Sequence, residues 1–273
     1  MSGATQGPIR LVLSDMDGTL LRPDHSLSPR VIEAVAQLRE AGILFSLASS
    51  RPPRAMRAQV EALKVDLPTA GFNGGTLVKP DGSYWRTHPI DRKAVDTCLQ
   101  LFAQEPVAVW VFADDQWLLR DTQGDYVGVE QHALGYEPVQ VDSFEPYLDR
   151  VDKIVASSAD FDLLVRLEAR LQPLIEGQAL AARSQKYYLD VTALAANKGS
   201  ALITLAEAYD VPLAQTAVLG DGSNDVAMFK QAGLAIAMGQ GEDSVKQQAH
   251  QVTGSNKEDG VAMAIERWIL PRA

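Results

Sequence analysis

Short apolar runs, each closed by a polar loop and followed by a helix-like stretch, recur near both ends of this chain. Residues 9–13 and 43–48 are two such runs, and residues 216–219 and 234–237 repeat the pattern beyond Lys198. Runs that are apolar throughout, without alternation, suit strands buried on both faces, as in a parallel sheet. Between the first two, Ser28-Pro29 supplies an N-cap and a proline at the first helical position. Val31, Ile32, Val35 and Leu38 then recur at helical spacing, Gly42 stands where a helix stops, and Pro52-Pro53 opens the next helix. Strand and helix in alternation demand crossover connections, which predicts an α/β fold with a parallel-sheet core.

That rhythm breaks after Asn73-Gly74-Gly75. Residues 76–79 and 84–86 flank Pro80-Asp81-Gly82-Ser83, a hairpin signal. A helix is expected over 91–104, strands over 107–113, 117–120 and 153–157, a helix from Asp160, and strands over 179–183 and 187–191. The middle reads as a hairpin-rich α+β module of roughly 100 residues, an ordinary domain size. The expected organisation is a core domain over 1–82, an inserted domain over 83–186, and the rest of the core over 187–273.

Charge narrows the partners. Among 273 residues the formal net charge is -10, so polyanions and anionic membranes are disfavoured as partners. Arg51, Arg54 and Arg57 are the nearest thing to a basic patch, and their spacing fits a solvated helix face. Cys98 is the single cysteine, which excludes an intrachain disulfide and predicts a reducing compartment, the cytoplasm. Residues 1–8 are small and polar and do not read as a signal peptide, and the longest apolar run, 107–113, is too short to span a bilayer.

Four places combine reactive side chains with a strand end or helix start. Asp15-Met16-Asp17-Gly18 follows the first strand, where open α/β sheets bind ligands. Taken alone, it is equally a turn. Gly220-Asp221-Gly222-Ser223-Asn224-Asp225 follows a later strand and offers two more carboxylates, the hard oxygen donors that Mg²⁺ prefers. Asp225 as an N-cap is the plainer alternative. Ser49-Ser50-Arg51 ends the second strand, where a hydroxyl beside a helix N-terminus can hold a phosphate oxygen or simply cap the helix. Lys198 opens a helix, a position the helix dipole disfavours for a cation, although solvated lysines also occur there.

In this order the four resemble the motifs of the haloacid dehalogenase superfamily of aspartate-nucleophile phosphatases. Asp15-Met16-Asp17-Gly18-Thr19-Leu20 is similar to its first motif, Ser49 to its second, Lys198 to its third, and Gly220-Asp221-x-x-Asn224-Asp225 to its fourth. The insertion between the second and third resembles the type-two cap of the Cof-like sugar-phosphate phosphatases. Asn73-Gly74 and Ser255-Asn256-x-x-Asp259-Gly260-Val261 extend the resemblance almost end to end. Two motifs depart from the subgroup: Ala48-Ser49-Ser50-Arg51 stands where Ala-Thr-Gly-Arg is usual, and Gly75 replaces an alanine. Serine keeps the hydroxyl, so these changes bear on substrate preference rather than on the reaction.

The resemblance implies a Rossmann-like core with an inserted α+β cap that closes over the site. It implies a magnesium-dependent phosphatase acting on a small phosphorylated metabolite, with Asp15 as nucleophile and Asp17 as general acid and base. Asp15, the Asp17 carbonyl, Asp221 and Asp225 would bind Mg²⁺. Lys198, Ser49, Arg51, Asn73, Gly74 and Asn224 would surround the phosphate and substrate. A phosphomutase of the same superfamily would carry the same residues and differ in its product. A non-catalytic sugar-phosphate sensor would have eroded the acidic set, yet Asp15, Asp17, Asp221 and Asp225 are all present. Trp110, Trp117, Tyr187 and Tyr188 are expected in cross-strand packing. His25, His88, His132 and His250 have no metal-ligand spacing, and His25 is expected at the surface.

Overall fold

The computed structural model describes residues 7–273, so most of the 1–8 segment expected not to be a signal peptide lies outside the described residues. In chain order the first half runs β1 (Leu11–Asp15), α1 (Pro29–Glu40), β2 (Leu44–Ala48), α2 (Arg57–Ala62), β3 (Thr69–Gly71), β4 (Thr76–Val78), β5 (Tyr84–Thr87), α3 (Arg92–Phe102), β6 (Ala108–Ala113) and β7 (Gln116–Leu119). Next come α4 (Val127–Leu134), β8 (Val139–Gln140), β9 (Val151–Ser157), α5 (Phe161–Leu171), β10 (Ala179–Gln185) and β11 (Tyr188–Ala193). The chain closes with α6 (Lys198–Ala208), β12 (Thr216–Gly220), α7 (Val226–Phe229), β13 (Leu234–Ala237), α8 (Asp243–Lys246), β14 (Gln251–Val252) and α9 (Gly260–Ala264).

Two compact units result. Among the described residues the first comprises 7–50, 56–85 and 197–273, and the second 51–55 and 86–196. The sheet of the first has the order β14-β13-β12-β1-β2-β3-β4-β5, parallel from β14 to β3. All of β1 is buried because both of its faces are covered. Val12 joins Val35, Leu38 and Ile265 on one side, while Leu11 and Leu13 join Leu202 and Leu205 on the other. Helix α1 starts as expected, with the Ser28 hydroxyl accepting the Val31 N–H at 3.1 Å and Pro29 in its first turn.

The sheet of the second unit has the order β10-β11-β9-β6-β7-β8 and is antiparallel apart from the β7–β8 pair. One face, through Val111, Ile154 and Val191, packs against Val95 and Cys98 of α3 and Leu164 and Leu167 of α5. The opposite face carries Trp110, Trp117 and Tyr188, with Trp110 edge-on to the other two rings at 5.3 and 5.1 Å. The units divide at 85/86 and 196/197, later than the expected 82/83 and 186/187. The second limit moves because β11 pairs with β9 and β10 and completes this sheet.

Of the three arginines read as a solvated helix face, Arg54 and Arg57 are exposed and Arg51 is partly buried. The Arg51 guanidinium donates to the Ala133 carbonyl at 2.9 Å, and that of Arg54 lies 4.3 Å from the Tyr136 ring centroid. Among the described residues, no helix is long and apolar enough to cross a membrane.

Candidate active site

Parallel pairing sets the frame of the site. β1 lies between β12 and β2, with Ser14 opposite Leu219 and Asp15 opposite Ala48, so the loops after all three strands leave the same sheet edge. Beyond β1 the chain must turn sharply, and Gly18 does so at φ +79°. A Cβ there would sit 2.3 Å from Asp221 Oδ2, so only glycine lets the first loop press against the carboxylate that follows β12. The Thr19 hydroxyl donates to Asp221 Oδ1 at 3.0 Å.

Lys198 reaches the same point from another direction. Asn197 caps α6, its side chain accepting the Ser200 N–H at 2.9 Å, and Lys198 takes the first helical position. The Lys198 side chain is fully buried. Its Nζ donates to Asp15 Oδ1 at 2.5 Å and to Asp225 Oδ1 at 2.6 Å. Asp225 Oδ2 accepts the main-chain N–H groups of Asp221 and Gly222, each at 2.9 Å. Asp225 therefore ties the β12 loop to the ammonium and also closes that loop on itself.

Asp15, Asp221 and Asp225 form a trio whose ligating oxygens all lie within 4.8 Å of one another. Burial pushes the Asp15 carboxyl well above the usual carboxylate range, Lys198 pulls it the other way, and Asp225 adds to the rise. Burial raises Asp221 as well, with the Thr19 hydroxyl opposing. Burial draws the Lys198 ammonium down, but Asp15 and then Asp225 outweigh it and hold the group above its ordinary value. One ammonium against three carboxylates leaves excess negative charge in a poorly solvated place. A divalent cation with hard oxygen preference satisfies that donor set and that charge.

The remaining predicted residues sort clearly. Asn224 Nδ2 donates to Asn73 Oδ1 at 3.0 Å, which joins two of the predicted substrate residues. Asn73 and Gly74 take φ of +57° and +98°, and a Cβ on Gly74 would lie 2.7 Å from the Asn197 carbonyl, so this loop rests on the cap of α6. Ser49 is buried, its N–H donating to Ala70 and its carbonyl accepting from Asn73. Arg51 falls in the second unit. The Asp17 side chain stands outside the trio, with Oδ1 at 3.3 Å from Nδ1 of His25, which is half-exposed, in line with the surface position expected for it.

Sequence reasoning also passed over Gln240. Its carboxamide donates to the Gly18 carbonyl at 2.5 Å and accepts the Asn256 N–H at 3.0 Å. The Ser255-Asn256 motif was the available pointer to this loop, since Asn256 Nδ2 also donates to the Leu21 carbonyl at 2.8 Å.

Residues 12–265 match the family model of haloacid dehalogenase-like hydrolases. A curated Haemophilus influenzae protein with a provisional phosphatase name is 26% identical over 258 residues, spanning 94% of this chain and 97% of its own. A crystal structure of a haloacid dehalogenase-like hydrolase from Bacteroides thetaiotaomicron is 25% identical, covers 95% of this chain and 99% of its own, and superposes with a TM-score of 0.88. The subclass IIB sugar phosphatase BT4131, at 22% identity over 96% of this chain and 99% of its own, has the same fold with a TM-score of 0.82.

Proposed function

Because the chain belongs to the haloacid dehalogenase-like hydrolase family, we propose that it is a phosphatase acting on small phosphomonoesters, sugar phosphates foremost, through a phosphorylated Asp15. The observation that carries this reading is the buried Lys198 ammonium held between Asp15 and Asp225 beside Asp221. Lysine is almost never fully buried without a charged partner. A lysine locked at the head of a strand-end carboxylate orients that carboxylate and adds a cation where a phosphate must sit. Similarity to a protein named a sugar phosphatase supports the substrate class.

In the proposed reaction an Asp15 carboxylate oxygen attacks phosphorus, and the Asp15–phosphorus bond forms as the ester bond to the leaving oxygen breaks. Asp17 gives its proton to that oxygen and later takes one from the water that attacks the phosphorylated Asp15. Inorganic phosphate departs and the carboxylate is restored. Lys198 and the Ser49 hydroxyl steady the other phosphoryl oxygens, while Asn73, Gly74 and Asn224 border the substrate. Asp15, Asp221, Asp225 and the Asp17 carbonyl are the residues that would hold Mg²⁺. When bound, the ion lowers the repulsion between the incoming phosphate and the carboxylates.

The test is a phosphomonoester panel assayed with Mg²⁺, with chelator, and with Asp15→Asn. Phosphate release is expected only from wild type with Mg²⁺, with at least a roughly thousandfold loss in the variant. Undiminished hydrolysis by Asp15→Asn would remove Asp15 from the chemistry. An isomerised sugar phosphate in place of inorganic phosphate would make the protein a mutase.

A further inference from the structure

We propose that Gln240 is the positioning residue that holds the nucleophile loop in place beside Asp221, a role that rests on the phosphatase reading above. After β13 the chain turns at once, the Gly241 N–H donating to the Met238 carbonyl at 3.0 Å. The glycines on either side of Gln240 lie hard against main chain. A Cβ on Gly239 would be 2.9 Å from the Thr253 carbonyl oxygen, and one on Gly241 would be 2.9 Å from that of Asp221. The turn is seated between two loops, and Gln240 extends from its middle.

The carboxamide works at both ends. Nε2 donates to the Gly18 carbonyl at 2.5 Å. Oε1 accepts the Asn256 N–H at 3.0 Å. Gly18 itself is packed so close to the Asp221 carboxylate that no Cβ fits there. A primary amide is the neutral side-chain group that offers N–H donors and an acceptor in one plane, so it can hold the Gly18 carbonyl and still be anchored by the Asn256 N–H. Gly18 adjoins Asp17, so slippage of this carbonyl displaces the proposed proton donor, and misplacement by about 1 Å can cost on the order of 100-fold in rate. Gln240 touches no reacting atom; it acts through the two loops it joins.

Gln240→Leu and Gln240→Glu are to be compared with wild type in kcat and KM on the best panel substrate, and in Tm. Mg²⁺ affinity of wild type and Gln240→Leu is to be read by isothermal titration calorimetry. Both variants should lose about 10- to 100-fold in kcat with KM within about threefold. Gln240→Leu should bind Mg²⁺ about 10-fold more weakly, as for residues that orient metal ligands. Glutamate matches glutamine in length and volume but presents an acceptor to the Gly18 carbonyl, so a packing role predicts that Gln240→Glu behaves as wild type. That result overturns the proposal, as does Gln240→Leu with unchanged kcat and Mg²⁺ affinity. A kcat loss accompanied by a Tm fall of more than about 5 °C assigns the residue to folding and overturns it too. A wild type that binds Mg²⁺ but hydrolyses nothing ends the phosphatase reading alone, and the titration still decides the clamp. A wild type that does neither ends both.

Discussion

At the scale of single residues, the ammonium of Lys198 is fully buried between two carboxylates, and its removal should be strongly felt. Lys198→Met would leave Asp15 and Asp225 facing each other without their shared cation. Breaking a buried pair in this way costs about 3–5 kcal/mol, so urea unfolding without added metal should show a loss of that order. Phosphate release should fall to background in the same variant. Cys98 gives a prediction of the opposite kind. It is fully buried, and burial pushes its thiol from 9.0 up to about 12. A raised acid pKa favours the protonated form in the fold, so this group's contribution to stability is complete below pH 9 and is lost as pH rises toward 12. Cys98→Ala should therefore show a shallower stability loss across that window, and native wild type should resist alkylation that proceeds in denaturant. Asp15, Lys198, Asp221 and Asp225 could be named from sequence because reactive side chains at strand ends and helix starts together resemble the motifs of a known superfamily. Gln240 could not. Glutamine carries no periodic signal, and its partners lie 222 and 16 residues away.

At the scale of elements, the parallel strands were legible because burial on both faces leaves a continuous apolar run. Shorter pieces were not. β3 has three residues, too few for any pattern, and α4 holds Gly128 and three non-adjacent residues of poor helix propensity between a Tyr126 and a Gly135 that both take positive φ. Those two left-handed residues mark the ends of α4 in space, but only Gly135 has a sequence signature. The loop carrying Asn73 and Gly74 offers the sharpest element-level test. Gly74→Ala must place a Cβ at φ +98° and 2.7 Å from the Asn197 carbonyl, at the cap of the helix that presents Lys198. A loss of about 1–3 kcal/mol is expected in chemical denaturation. A kcat fall at constant Mg²⁺ affinity should accompany it, since the disturbance enters through α6 and not through the carboxylates. Unchanged kcat would mean that α6 tolerates the shift.

At the scale of the whole molecule, each unit has its own apolar core. Leu164 is fully buried in that of the second unit, and Leu164→Ala should cost about 2–5 kcal/mol there. Calorimetry should then resolve an earlier transition for the second unit, while Mg²⁺ titration at the trio of aspartates stays unchanged. An insertion was legible from the break in strand–helix rhythm. Its end was harder to read, because β11 and α6 follow each other closely and only pairing with β9 and β10 assigns the strand.

The split of the first unit across the chain also orders its birth on the ribosome. Residues 86–196 are contiguous, so their sheet is complete as soon as Ala193 has emerged. β1 must wait for β12, some two hundred positions behind it, which at about 5–20 residues per second is roughly 10–40 s of translation. Through that interval an apolar strand destined for the centre of a sheet is exposed on the flank that β12 will cover. A segment made much later thus closes the fold begun by β1, and the nascent polypeptide is most open to chaperones and to aggregation just before that closure.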